Sequence, residues 1–219
     1  TLLLSSLLGA CTGGNSAIET TAAKADAAAT KVAATSAEIE QAKNLLLAKW
    51  QGPFQGVPAF DKVSLIGLIP AIEAGMKINL AEIEAIANNP EPATFENTFV
   101  AMEKSGELLN RVSRVFYNLS GTDSNEQRRQ IQSELAPKMA AHSDNINLNP
   151  ALFARIESVY NARNALALGA ESLRLVEVYY ERFVRSGAKL TEEQKVAIRA
   201  INEENSKLTL SIKLFPSIS

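Results

Sequence analysis

Residues 94–121 read TFENTFVAMEKSGELLNRVSRVFYNLSG, and the spacing of their apolar side chains decides the fold class. Phe95, Phe99, Met102, Leu109, Val112, Phe116 and Leu119 recur at helical steps, which puts them on one face of a helix running down to Gly121. Thr94 supplies the N-cap, and Glu96 places a negative charge in the first turn, where the helix dipole favours it. A helix of this kind is stabilised chiefly by what its apolar face packs against, so partner helices are required.

Those partners stand on both sides of it. Upstream, Ile72, Met76, Leu80, Ile83 and Ala87 form a second stripe, halted by Asn88-Asn89-Pro90. Downstream, Ser124 with Gln127 reads as a capping box for a helix carrying Ile131, Leu135 and Met139, in which Pro137 is expected to cause a kink or an early end. Asn149-Pro150 is an N-cap followed by a proline whose missing donor costs nothing at that position, and Leu152, Ile156 and Val159 form the stripe behind it. Ala170 to Ser186 carries Leu173, Val176, Tyr180 and Phe183, with Gly187 as the C-terminal cap. Thr191 and Gln194 open a last helix whose stripe is Ile198, Ile201, Leu208, Ile212 and Phe215. No stretch alternates with period two for long enough to argue a sheet, and no fixed-period repeat points to a solenoid. The expected fold is therefore all-α, an irregular helical bundle.

The segments before this bundle differ in character. Thr1 to Cys11, TLLLSSLLGAC, holds an apolar run followed by Gly9, Ala10 and the sole cysteine. The run is too short to span roughly 30 Å of hydrocarbon but fits the core of a signal peptide. Leu8-Gly9-Ala10-Cys11 resembles a bacterial lipobox, so Cys11 is the expected lipidation site and residues 1–11 a partial lipoprotein signal; the competing role for Cys11 is an ordinary buried thiol. Residues 12–43 are rich in Ala, Thr, Ser, Lys and Asp and poor in large apolar side chains, which suits a flexible or partly helical tether, with transient helix across Ala22 to Gln41. The folded region is expected over 44–219. It opens with Trp50 to Asp61, WQGPFQGVPAFD, where proline and glycine prevent a helix while Trp50, Phe54 and Phe60 supply rings to bury, as an extended strap over a core.

Charge and chemistry narrow the function. With 22 basic against 24 acidic residues the net charge is -2, which leaves no field to gather nucleic acid. The chain has a single histidine, His142, expected at the end of a helix as a surface or dipole-facing side chain. A hydrolytic zinc site needs about three protein ligands and an open position, so neither a catalytic residue nor a metal ligand is assigned here. Glu82 with Glu84, Glu192 with Glu193 and Glu203 with Glu204 read as solvated charge. Tyr179-Tyr180 could line a peptide channel, or Tyr180 belongs to the core with Tyr179 as its partly exposed neighbour. The sequon Asn118-Leu119-Ser120 matters only in a eukaryotic secretory pathway, against which the lipobox argues.

Several stretches together carry a family likeness. Trp50 to Val63, Ile69-Pro70-Ala71-Ile72, Asn79-Leu80-Ala81-Glu82-Ile83, Ile86-Ala87-Asn88-Asn89-Pro90 and Thr94-Phe95-Glu96-Asn97-Thr98 resemble the start of the peptidyl-dipeptidase (Dcp) branch of the thimet-oligopeptidase family of zinc metallopeptidases. Glu134 to Lys138, Asn149 to Ile156, Arg182 to Leu190 and Ile201-Asn202-Glu203 extend the likeness, in order, from about Leu45 to about Leu208. The resemblance implies the N-terminal helical region of a thimet-oligopeptidase-like (neurolysin-like) fold, whose parent holds zinc with an H-E-x-x-H helix plus a further glutamate. It implies a parent that takes short peptides and removes dipeptides from their C-termini. No residue of that zinc site lies in this chain, so zinc belongs to the parent and none is expected to be bound by this fragment. After Leu208 the sequence departs from the family, as a truncated or frameshifted reading frame would. The implied setting is periplasmic, attached to the membrane through a lipid on Cys11. The alternative is a non-enzymatic helical envelope lipoprotein that binds a partner.

Overall fold

The computed structural model describes residues 34–51, 56–57, 60–122 and 125–214, and those from Thr35 onward belong to one compact unit. Most of them are helical, with no strand among the described residues. The all-α expectation is met.

Helix α1 (Ser36–Leu47) begins inside the stretch Ala22 to Gln41 where transient helix was expected and runs on past it. Thr35 accepts from the amide of Glu38 at 3.3 Å, and the Glu38 carboxylate accepts from the amide of Thr35 at 2.7 Å, completing a capping box. Ala42 and Leu46 of this helix are buried, so residues 35–43, assigned above to the tether, are part of the packed body. The rest of that segment, like Cys11 and Phe54, lies outside the described residues.

After short turns at Phe60–Lys62 and Leu65–Gly67 comes α2 (Leu68–Ala87), ending before Asn88-Asn89-Pro90 as its sequence dictates. Of its expected stripe, Ile72, Met76, Ile83 and Ala87 are buried, but Leu80 is only half-buried and Asn79 takes the inward position. The strap's rings are not fully covered: Trp50 is half-buried and Phe60 is exposed.

The long helix expected over 94–121 is two elements. A π-helical turn, Phe95–Val100, runs into the short α3 (Ala101–Lys104), and α4 (Glu107–Thr122) follows a break at Ser105-Gly106. Gly106 has φ +73°, and a Cβ there would lie 3.0 Å from Asn79 Nδ2. Its amide donates to the Glu82 carboxylate at 2.7 Å. Gly106 offers the backbone freedom, and a tertiary hydrogen bond uses it to end one helix and start the next.

Helix α5 (Glu126–Asn147) is capped by Asn125, which accepts from the amide of Arg128 at 3.0 Å, not by Ser124, which lies outside the described residues. Pro137 does not end it early. Helix α6 (Pro150–Ala162) begins as predicted, with Asn149 accepting from the amide of Leu152 at 3.0 Å. Helix α7 (Ala170–Ser186) closes on Gly187 at φ +103°, the left-handed cap expected of it. Helix α8 (Glu192–Leu214) follows Thr191, whose hydroxyl and amide exchange hydrogen bonds with Gln194.

Two apolar cores share α2. Leu68, Ala71, Ile72 and Met76 of its first half pack with Leu46 of α1, Leu109, Val112, Val115 and Phe116 of α4, and Ile131 and Leu135 of α5. Ile83, Ile86 and Ala87 of its second half pack with Phe99, Met102, Leu152, Phe153, Ile156, Val159, Val176, Tyr179 and Phe183. Helix α8 packs chiefly along α5.

Candidate functional site

The polar groups of this bundle gather between and around the two cores. Asn79 is the first, placed by the α2 repeat on the inward face where the cores meet, and its Oδ1 lies 2.9 Å from Nε2 of His142. His142 is buried within α5, five residues before its last residue Asn147, so the exposed, dipole-facing position expected for it is wrong. Leu135, Met139 and Ile146 stand at helical steps from it, a stripe whose extension to Ile146 would have marked that face as inward. Burial holds its pKa below the usual imidazole value, which keeps the ring neutral. With Asn79 Oδ1 as acceptor, Nε2 is the donor, and Nδ1 is left buried without a partner.

Arg155 forms the second polar centre. Only 8% exposed, it donates through Nη1 to the carbonyls of Asn89 and Glu91, both at 2.9 Å, and through Nη2 to Asn97 Oδ1 at 2.7 Å. Asn97 also caps the π-helical turn: its Oδ1 accepts from the amide of Thr94 at 2.8 Å and its Nδ2 donates to the Pro92 carbonyl at 2.9 Å. Three of the stretches that carried the family likeness, around Asn89, Asn97 and Arg155, thus converge on one guanidinium. Thr94 is the N-cap expected of it, with Asn97 as its capping-box partner and Glu96 in the first turn.

The tyrosines exchange the roles assigned to them. Tyr179 is buried in the second core and Tyr180 only half-buried, because Tyr179 meets Phe99 edge-on at 5.7 Å while Tyr180 stacks on Tyr160 at 3.7 Å. The Tyr179 hydroxyl donates to the Glu103 carboxylate; burial first, and then that carboxylate, raise its pKa to about 12. Lys189, 2.9 Å from Glu157, is held above the usual lysine value by hydrogen bonds to Tyr180 and Glu157.

The acidic pairs are not paired with each other. Glu82 caps Gly106, Glu192 meets Lys195 at 2.9 Å, Glu203 meets Lys207 at 2.7 Å, and Glu84, Glu193 and Glu204 are exposed. Among the described residues no group of three or more His, Cys, Asp and Glu is arranged to hold a metal ion. The one histidine is committed to Asn79, so these residues do not fit zinc. What the arrangement does chemically is fix helices and turns against one another.

Helix α8 is oriented against expectation. Among its described side chains Lys195 is buried and Ile198 of the expected stripe is half-buried, while Asn202 donates to Asp144 at 2.8 Å and Arg199 to Asn145 at 2.9 Å, so a largely polar face lies on α5. Ile201 and Leu208, expected in the core, are 60% and 52% exposed, and Val196 is 70% exposed. Ile212 is in the part of α8 whose side chains are not described, and Phe215 lies outside the described residues.

No known family profile matches the chain. Among curated proteins it is 40% identical over 165 residues to the dipeptidyl carboxypeptidase of Salmonella typhimurium strain LT2, covering 75% of this chain and 24% of that protein. It is 40% identical over 152 residues to the dipeptidyl carboxypeptidase of Escherichia coli strain K12, covering 69% of this chain and 22% of that protein. The chain thus spans about a quarter of the length of the curated relatives it matches.

Proposed function

From its kinship with the bacterial dipeptidyl carboxypeptidases, we propose that this chain is the N-terminal helical region of a zinc metallopeptidase that releases dipeptides from the C-termini of short peptides. In such a parent, zinc held by residues outside this chain would supply the activated water for peptide hydrolysis. That chemistry lies outside this chain, whose residues do not fit the metal. Its part is structural: the two cores and the ties made by Arg155 and Asn79 give a stiff wall to a substrate channel, limiting entry to flexible peptides. The setting is the periplasm, with a lipid on Cys11 as the anchor.

One observation carries the assignment of a part within a larger body. Helix α8 lays its polar face on α5, turns Ile201 and Leu208 outward along one face and leaves Val196 exposed to one side. A stripe of that kind fits an interface with further sequence, and the relatives are about four times as long as the region they share with this chain. A free-standing envelope lipoprotein has no such observation in its favour.

The test is a chimaera in which this chain's matched segment replaces its counterpart in the Escherichia coli relative. Zinc-dependent release of dipeptides by the folded chimaera is expected. A chimaera that melts cooperatively and binds zinc but releases none would overturn the assignment. The chain by itself, purified and supplied with zinc, is expected to release no dipeptide.

A further inference from the structure

Beside the first core lies a cleft of about 640 Å³, outside the polar centres built on Asn79 and Arg155. Its floor is one face of α4, with Glu107, Asn110, Arg111 and Arg114 at helical spacing, and its wall holds the rings of Trp50 and Phe60. A volume of this size suits a small molecule or a few residues of a peptide.

The charges in it are unevenly committed. Arg111 is anchored: Nη2 donates to the Leu47 carbonyl at 2.7 Å, and the guanidinium lies 5.2 Å from the centre of the Trp50 ring. That anchoring sets a cation beside an indole and leaves Arg111 Nε buried without a hydrogen-bond partner. Arg114, one turn further along, is exposed and forms no ion pair among the described residues, and neither does Lys104 at the other end of the cleft. Two carboxylates line the cleft, Glu103, which accepts from the Tyr179 hydroxyl, and Glu107, and they stand against the three cations Lys104, Arg111 and Arg114. The excess is positive and lies next to exposed ring surface, since Phe60 is 41% exposed.

An anion alone would leave the rings wet, and an apolar ligand alone would leave the cations unmatched. We propose that this cleft binds a carboxylate carried close to an aromatic ring, with the ring against Trp50 and Phe60 and the carboxylate facing Arg114 and Lys104. The ligand is a free aromatic acid or the C-terminal end of a peptide that finishes in an aromatic residue. Arg111 acts as a positioning residue, holding the Trp50 ring in place. Binding here needs no metal and is independent of the peptidase assignment.

Trp50 is the sole tryptophan, so its fluorescence reports on this cleft alone. The full chain is titrated with 3-phenylpropionate, with its amide, and with the peptide Ala-Ala-Ala-Phe bearing a free C-terminus. A saturable change with the acid, at least about tenfold weaker with the amide, is the expected result, since a charge-assisted hydrogen bond is being removed. Equal affinity for acid and peptide marks a free acid as the ligand, and tighter binding of the peptide marks a chain end. Arg114→Gln, at an exposed site that folding does not depend on, is expected to weaken binding about tenfold, whereas Glu107→Gln strengthens it and Arg185→Gln on α7 leaves it unchanged. The strengthening by Glu107→Gln is a readout that a merely structural role would not produce. No fluorescence change at millimolar acid, or equal responses to acid and amide, would overturn the proposal.

Discussion

Helices α4 and α8 look alike as sequence and behave as opposites in the fold. Both show apolar residues at three- and four-residue steps. In α4, Leu109, Val112, Val115 and Phe116 are buried at 6% exposure or less, whereas in α8 Val196, Ile201 and Leu208 stand outward and Lys195 is the buried side chain. Periodicity says that a face is to be covered; it does not say that the covering element lies nearby in the same chain. Helix α4 finds α2, α1 and α5 around it, while α8 finds only the polar flank of α5, with Asp144 and Asn145 offering hydrogen bonds instead of apolar contact.

The largest effect that would sharpen this contrast is a truncation on each helix. Phe116→Ala removes a ring that is 1% exposed and is expected to cost about 3–5 kcal/mol. Leu208→Ala, at a side chain 52% exposed, is expected to cost less than about 0.5 kcal/mol. Urea unfolding of both variants measures the difference, and comparable losses would mean that α8 is packed after all.

Next in size is the break that separates α3 from α4. Gly106→Ala forces a side chain into a left-handed backbone and towards Asn79, at a cost of about 1–3 kcal/mol. A neutral or stabilising result would show that residues 94–121 can form the single helix their spacing suggests. The fate of that stretch shows what a sequence withholds. Its apolar residues keep one face across Ser105-Gly106, with a seven-residue step from Met102 to Leu109, and a lone glycine in a helix costs only about 1 kcal/mol, so the local signal cannot decide. The carboxylate of Glu82, 24 positions earlier, decides it.

Ends of helices were far more legible, because caps are local chemistry. Asn149-Pro150, Gly187, Thr191 with Gln194, and Asn88-Asn89-Pro90 all act where their residues predict. The inward turn of His142 was legible in the stripe Leu135, Met139 and Ile146, whereas the exchange between Tyr179 and Tyr180 and the packing of residues 35–43 were not, since each depends on a neighbour distant in sequence. The candidate cleft was hidden for the same reason: Trp50 and Arg111 meet only once α1 and α4 have packed.

A smaller effect comes from pH. Burial depresses the pKa of His142 in the folded state below its unfolded value, so the unfolded chain takes up a proton first as the pH falls. This contribution to stability is fully present above the ordinary imidazole value of about 6.5 and is lost as the pH drops from there towards the depressed value. In His142→Gln this part of the pH dependence should vanish, as followed by thermal melts across mildly acid buffers. A slope retained in the variant would place its source elsewhere. The smallest effect on folding, but a clear one on surface behaviour, is expected from combining Val196→Glu, Ile201→Glu and Leu208→Glu. The melting temperature should move by no more than a few degrees while hydrophobic-dye binding and self-association fall. Loss of folding would instead show that the outward stripe supports the bundle.

Helix α2 contributes its first half to one core and its second half to the other, with Asn79 between them. A rod shared in this way acts as a mechanical axle: neither half of the bundle can come apart without loosening the helix that the other depends on. Amide protons at the middle of α2 should therefore exchange with solvent only when the whole body opens, on a single slow clock. Those of α8, clasped along one polar side, should exchange sooner on a clock of their own.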